Sequence, residues 1–430
     1  MKELNELSKV EVEFPDNLDA KVMEKVLINK KTFKKKPWII GGSITLAGAL
    51  SLAGVGIIIG LTNPAFMPIS VIAEPTINYS YVEYDIKKET ISEMLGHADY
   101  ILNHEDYISE NSVFAAANHY LAILLLGVTS RDNTDLLNTL GFATYEDLMT
   151  TYHGLMDALN YKSELTSLQT ISAVLLAEMP YYNKETLERL ARDALLYSAE
   201  TEVKKAAKTA EAIFNQKIGL DMDLSEVLKD IEPEMVVGLN GQRLSDKFSL
   251  YQQYSFNQIE INFNGIKKVK GLGKNESHGM YYRGSNYQMF KLPISATDLL
   301  FVLPDDGIDI NSISLAKIDL VNLKFLPGSY KLPYFDVASL LDTSDMLKDL
   351  LHQKMIYTDI APNVVFDSSF NQSIFEFNRY GVEGKAISGI PGAGESGPEE
   401  PSFNFIVDRP FYFISLFQDI PLFSGKILAI

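Results

Sequence analysis

Between residues 86 and 430, apolar positions follow a helical rhythm in the first part and a strand rhythm in the second. The stretches 89–102, 113–128, 132–142, 145–159, 185–200 and 202–218 repeat apolar residues three and four apart, the mark of helices with one buried stripe. Residues 113–128 (VFAAANHYLAILLLGV) are apolar almost all round, which predicts a central buried helix. After Pro233 the texture changes. Stretches 235–241, 257–265, 266–272, 280–285, 287–294 and 298–307 alternate or run apolar between Gly, Asn and Asp turns, and they predict strands. A long extended piece, 324–341, a short helix, 344–355, and strands at 370–378, 405–416 and 423–427 complete the chain. Helices first and strands later predict an α+β architecture.

One apolar stretch breaks this pattern. No charged residue occurs from Pro37 to Ala73, and Trp38 to Leu61 is apolar or small throughout. As a helix that segment reaches about 36 Å, enough to cross a bilayer. It is longer, and starts later, than a signal peptide. Lys30, Lys31, Lys34, Lys35 and Lys36 precede it, while Glu74 is the first charge beyond. The positive-inside rule then puts the N-terminus in the cytoplasm and the rest outside the cell. The expected organisation is a cytoplasmic tail, 1–36, a transmembrane helix, 37–62, a proline-bearing linker, 63–85, and an extracellular domain, 86–430. Gly56 and Gly60 form a small-residue pair that allows weak self-association through the helix. The amphipathic stretch 18–28 in the tail suits the membrane surface.

Charge and composition narrow the partners. The chain carries a net charge of −18, and beyond residue 36 there are 29 basic and 49 acidic residues, a net of −20. Such a domain repels nucleic acid and anionic lipid. With no cysteine, disulfides, thiolate metal sites and a cysteine nucleophile are all excluded. The six histidines have no metal-ligand spacing and read as satisfied or solvated side chains. Gly394-Glu395-Ser396-Gly397-Pro398 lacks the strand-to-helix setting of a nucleophile elbow. Gly271-Leu272-Gly273 lacks the third glycine of a nucleotide fingerprint, and Asp305-Asp306-Gly307 reads as a turn. Lys267, Lys268, Lys270 and Lys274 alternate with apolar residues as the wet face of a strand. No constellation supports an enzyme, a metal or a cofactor.

The C-terminal fifty residues carry the most information. A strand, 370–378, leads into Gly381-Val382-Glu383-Gly384-Lys385-Ala386-Ile387-Ser388, then a Gly- and Pro-rich stretch to Pro401, then FIVDRPFYFISL and FSGKI. Two strands flanking so permissive a segment predict a long exposed loop tethered to a sheet at both ends. This order resembles the reactive-loop region of the serpins, through Gly381, Glu383, Ala386, Asp408, Pro410, Phe411 and Gly425. Four further motifs keep the family order: the buried helix with Gly127, Thr134 and Gly141; Leu292-Pro293; Leu303-Pro304 with Asp306 and Gly307; and Leu332-Pro333 with Phe335. The resemblance spans residues 86–430. It implies a serpin-like α+β fold: N-terminal helices, large mixed and antiparallel sheets and an exposed reactive loop, here preceded by a transmembrane helix.

Departures from the family fall on buried contacts. Ala115-Ala116-Ala117 stands where the family has a Ser-Pro pair, Asn371 aligns with its sheet histidine, and Arg379-Tyr380 replaces an acidic pair before the hinge.

The resemblance implies inhibition of a serine protease: the loop is cleaved to an acyl-enzyme, and its hinge side then inserts into a sheet as a new strand. Strand period puts Val382, Gly384, Ala386 and Ser388 on one face and Glu383, Lys385 and Ile387 on the other, so small residues face in and charges out. Gly389, Pro391, Gly392, Gly394 and Gly397 oppose insertion beyond Ile390. The family's spacing places the reactive bond at Glu395-Ser396, which suits a protease with a basic primary pocket; a solvated acidic tip of Glu395, Glu399 and Glu400 is the competing reading. Two functions remain open: a membrane-tethered protease inhibitor, and a non-inhibitory binding or structural protein on the same fold.

Overall fold

A computed structural model of the chain describes residues 69–131, 133–318, 320, 322–352, 356–361, 365–366, 369–384 and 402–430. The helices are α1 (Lys88–Leu102), α2 (Ala116–Val128), α3 (Thr134–Thr139), α4 (Tyr145–Ala158), α5 (Lys184–Asp193), α6 (Ala206–Ile218), α7 (Leu250–Ser255) and α8 (Ser344–Leu350). The first sheet contains β1 (Ser70–Ala73), β3 (Tyr161–Lys162), β4 (Thr166–Ala177), β5 (Leu196–Thr201), β6 (Met235–Lys247), β12 (Phe335–Asp342), β15 (Phe370–Asn378) and β16 (Gly381–Gly384). Its order is β1-β5-β4-β6-β16-β15-β12, with β3 on the flank of β4. The second sheet contains β2 (Ser112–Phe114), β7 (Asn257–Phe263), β8 (Lys267–Arg283), β9 (Tyr287–Pro293), β10 (Asp298–Pro304), β11 (Lys324–Pro333), β17 (Phe403–Ile406), β18 (Phe411–Phe417) and β19 (Ile420–Ile427). It runs β17-β11-β8-β9-β10-β18-β19-β2, with β7 on β8. A small hairpin, β13 (Ile356–Tyr357) with β14 (Val365–Phe366), stands apart.

Alternation along β12 and β15 turns one face of the first sheet onto the wholly buried β18 of the second to build the core. Phe335, Phe375 and Phe377 of the first sheet meet Phe301, Phe411 and Phe413 of the second, all buried. The Phe375 and Phe413 rings stack at 4.6 Å, and Phe335 and Phe413 lie 4.9 Å apart. Such pairs add to the area term that dominates burial. The opposite face of the first sheet is covered by α6, where Ala210, Ile213 and Phe214 join Ile171, Ala173 and Leu239 in a second buried cluster. β4 is therefore buried on both faces.

That burial explains where sequence pattern and structure part. The stretch 86–232, read as dominated by helices, contains two principal strands of the first sheet, β4 in the unassigned interval between 159 and 185 and β5 within an expected helix. β4 (TSLQTISAVLLA) shows no clean alternation because both its faces are covered. Residues 196–200, expected to continue the helix from 185, belong to β5 instead, after Leu195 turns to a φ of 50°. Strands expected separately at 266–272 and 280–285 are one continuous β8. Residues 113–115, expected to open the buried helix, precede it, and 112–114 form β2.

The linker reading of 63–85 also stops short. Ser70–Ala73 pairs antiparallel with β5, Ile77 packs on the α6 cluster, and Tyr84 donates its N–H to Gln418 Oε1 at 3.1 Å. From Ser70 onward the chain thus belongs to the domain. Among the described residues no helix is long and apolar enough to cross a membrane; the expected span, 37–62, lies outside them.

Candidate functional site

β16 follows a tight turn in which Tyr380 donates its N–H to Asn378 Oδ1 and accepts from the Phe248 N–H, both at 2.8 Å. The strand then runs antiparallel between two partners. On one side Gly381 to Gly384 face Lys247 to Leu244 of β6; on the other Gly381 faces Asn378 and Glu383 faces Glu376 of β15. Gly381 has a φ of 140°, and a Cβ there would meet the Asp246 carbonyl oxygen at 2.1 Å. Only glycine fits. Val382 points into the core, 2% exposed, while Glu383 is half-buried on the other face.

Below Gly384 the sheet is split. Among the described residues β6 is paired to β4 and β16, and β15 to β12 and β16, but β6 and β15 are not neighbours. A cleft of about 250 Å³ occupies this gap, walled by 235–241 of β6, Phe370 to Gln372 of β15, the start of α2 and Phe214 of α6.

α2 fastens both lips from behind. Ala115, which has no side chain to cap the helix, donates its N–H to Asn371 Oδ1 at 3.2 Å, and Asn371 Nδ2 returns a bond to the Ala115 carbonyl at 3.4 Å. Across the gap Asn118 Nδ2 donates to the Asn240 carbonyl at 3.1 Å.

The top of β6 is anchored separately. Asp246, 1% exposed, accepts from Thr166 Oγ1 and Thr297 Oγ1 at 2.8 Å and from the N–H groups of Ser295, Ala296 and Thr297 at 3.2 to 3.4 Å. These bonds tie β6 to β4 and to the β9–β10 turn of the second sheet. Burial pushes the Asp246 carboxyl up to about 7, and the hydroxyls of Thr166 and Thr297 with the N–H groups of Ser295 and Ala296 oppose that rise.

No protein-family model and no curated protein sequence matches the chain. Solved structures do. The native thermophilic serpin tengpin superposes with a TM-score of 0.61 at 17% identity, covering 82% of this chain and 98% of that one. Serpin48, a highly specific serpin of the insect Tenebrio molitor, gives 0.61 at 18% identity over 80% and 99%. Human thyroxine-binding globulin complexed with thyroxine gives 0.59 at 14% identity over 79% and 99%. The chain has the serpin fold.

On this serpin fold, Gly381, Val382, Glu383 and Gly384 come together as β16. Lys385, Ala386, Ile387 and Ser388, and the bond Glu395-Ser396, lie outside the described residues. Asn371 makes the main-chain contacts to α2 noted above. Arg379, exposed, sits over the Tyr380 ring at 4.9 Å.

Sequence reading missed the other side of the gap. Asp246 and Asn240 lie on β6 and Asn118 on α2, and nothing in their spacing marks them; a carboxylate on an apolar-lined strand is the one available signal. The histidine reading needs correction at three positions, His97, His119 and His153, the last through a buried Nε2 without a partner. His119 has no hydrogen-bond partner on either ring nitrogen and His97 none on Nδ1, because both are enclosed between α1 and α2. Burial holds His97 down at about 4, and burial with its His97 neighbour holds His119 at about 3.

Proposed function

We propose that the chain is a membrane-tethered, serpin-like inhibitor of extracellular serine proteases, acting by loop cleavage and strand insertion. One observation carries the reading: four hinge residues already lie between β6 and β15, at the head of a gap that no other described strand fills. After cleavage at Glu395-Ser396, the loop adds to β16 residue by residue. Continuing the observed register sets Ala386 between Gln242 and Ser373, and Ser388 between Asn240 and Asn371. Both fall on the Val382 face, where small side chains fit, and Ile387 arrives beside Gly241, close to Phe214. β15 supplies partners as far as residue 389, so insertion from Gly381 covers about 30 Å of strand. Pro391 then removes a donor.

The tether fits this use. Ser70 pairs near Glu200, at the end of the first sheet that also holds Ala177 and Met235, whereas the hinge enters beside Lys247. The 13-residue length of β6 separates these ends, about 40 Å. A span at 37–62 would hold the domain by one end and present the loop at the other, outside the cell.

A second reading, a non-inhibitory binding protein of the same fold, is favoured by Pro391 and by the two Asn371–Ala115 bonds that resist opening. Incubation with a panel of serine proteases separates the two. Inhibition gives a covalent complex that survives denaturing electrophoresis; cleavage without any complex across the panel leaves the second reading.

A further inference from the structure

α7 is a short helix fastened on one side, yet it shows its largest side chains to solvent. Ser249 and Gln252 close a capping box over its first turn, Gln252 Nε2 donates to the Ile294 carbonyl at 2.6 Å, and Gln253 Nε2 donates to the Phe248 carbonyl at 2.8 Å. The Phe248 and Phe256 rings, 4.9 Å apart, pin the two ends. Leu250, Tyr251 and Tyr254 face water, 56%, 82% and 79% exposed. Tyr254 is four residues from Leu250 and three from Tyr251, so the three share one face. Single exposed apolar side chains are ordinary, but three held together on a rigid turn make a patch of the kind that marks an interface. Exposed Arg379 stands beside it, because Tyr380 accepts the Phe248 N–H at 2.8 Å. Tyrosine and arginine are the side chains that most often anchor interfaces.

Position decides the occupant. Gly384, the last described residue of the hinge, faces Leu244, four residues from Phe248 along β6, or about 13 Å. At the other end of α7, β7 begins at Asn257, and β8, β11 and β17 follow side by side, with Asn257, Gly273, Lys331 and Ile406 in register. Three strand spacings make about 14 Å, which puts Phe403, where the chain returns, within about 20 Å of the helix. Both ends of the loop thus flank α7. Residues 385–401, out and back, carry the loop no more than about 30 Å from its ends. A protease of about 200 residues is about 40 Å across, so one held at the middle of this loop overhangs α7. The loop itself is a poor cover, since Ile387 and Ile390 are its only large apolar side chains.

We infer that the exposed face of α7 is a docking surface for the protease that cuts the loop. The matching surface lies outside that protease's active site and is apolar, with an acidic group opposite Arg379. The assignment rests on the loop being a protease substrate and adds the partner's chemistry to that reading. Contact with α7 holds the protease before cleavage; strand insertion then carries it toward the Met235 end of β6, away from the helix. The surface acts on the rate of capture and not on the lifetime of the final complex.

The probe is the serine protease, from the same panel, that cuts the intact full-length protein fastest between residues 390 and 400. Its second-order rate constant for that cut falls at least about tenfold in Tyr251→Ser/Tyr254→Ser, the loss expected when interface anchors are removed, while the urea midpoint stays at the parent value because both side chains are exposed. Equal constants in the two chains overturn the docking surface, as does a parent that sediments as a dimer beside a monomeric variant. A panel in which nothing cuts the loop overturns it as well. The products of the same reactions read inhibition separately. A tenfold loss of rate with clean cleavage keeps the docking surface and removes inhibition, whereas a covalent complex formed equally fast by both chains keeps inhibition and removes the docking surface.

Discussion

A β-carbon placed on Gly381 would stand 2.1 Å from the carbonyl oxygen of Asp246. The hinge enters the first sheet at this one close approach, where both backbone conformation and space exclude a side chain. Gly381→Ala must therefore push β16 away from β6, losing the pairing to Lys247 and its neighbours. Strain of this kind costs about 1–3 kcal/mol. Amide hydrogen exchange reads it directly: protection of residues 244–247 falls in the variant, whereas retention of full protection means that the hinge tolerates a side chain.

Asp246 supports the same junction from its other side. Removing its carboxylate in Asp246→Ala leaves the buried N–H of Thr297 and the part-buried N–H groups of Ser295 and Ala296 without this acceptor and frees the top of β6 from the second sheet. At ~1–3 kcal/mol for each unsatisfied donor, a loss of about 3 kcal/mol or more is expected in urea unfolding. A change below about 1 kcal/mol would show that water replaces the anchor at no net penalty.

The paired histidines give the fold an acid sensitivity with a definite sign. The His97 and His119 rings meet edge to face at 5.9 Å, and burial lowers both, to about 4 and about 3. Their unfolded value is about 6.5. Protonation thus favours the unfolded chain: the contribution is complete above about pH 6.5 and is lost as pH falls from there toward 4. For His119 alone the loss between pH 7 and pH 5 is about 2 kcal/mol. His119→Phe, which keeps the ring contact to Phe114, should flatten the pH dependence of unfolding by that amount. An identical loss in the variant and the parent chain would remove His119 from the explanation.

Sequence made legible the elements with one wet face, together with α2, whose all-round apolar run marked it as a buried helix. α1, α4, β15 and β17 alternate between more and less buried positions along their length, so their periodicity and family motifs agree. β4 and β5 escaped because strands covered on both faces carry no period to read. At the site, the hinge was legible because Gly381, Gly384 and the alternation between them are local features. The cleft was not. Its wall unites Asn118 of α2, Asn240 of β6 and Gln372 of β15 across more than 250 positions, and only the sheet's split order brings them together. The start of the folded domain was similarly hidden, since Ser70–Ala73 becomes a strand by adding to the β5 edge.

The gap between β6 and β15, which no described strand fills below Gly384, makes one measurement decisive: the melting temperature of the full-length protein before and after a single cut in the loop between residues 390 and 400. If the freed segment adds to β16 and closes the gap, the backbone groups along both lips gain partners and the melting temperature rises by at least about 10 °C, the shift expected for several kcal/mol in a domain of this size. An unchanged or lower melting temperature after clean cleavage contradicts strand insertion.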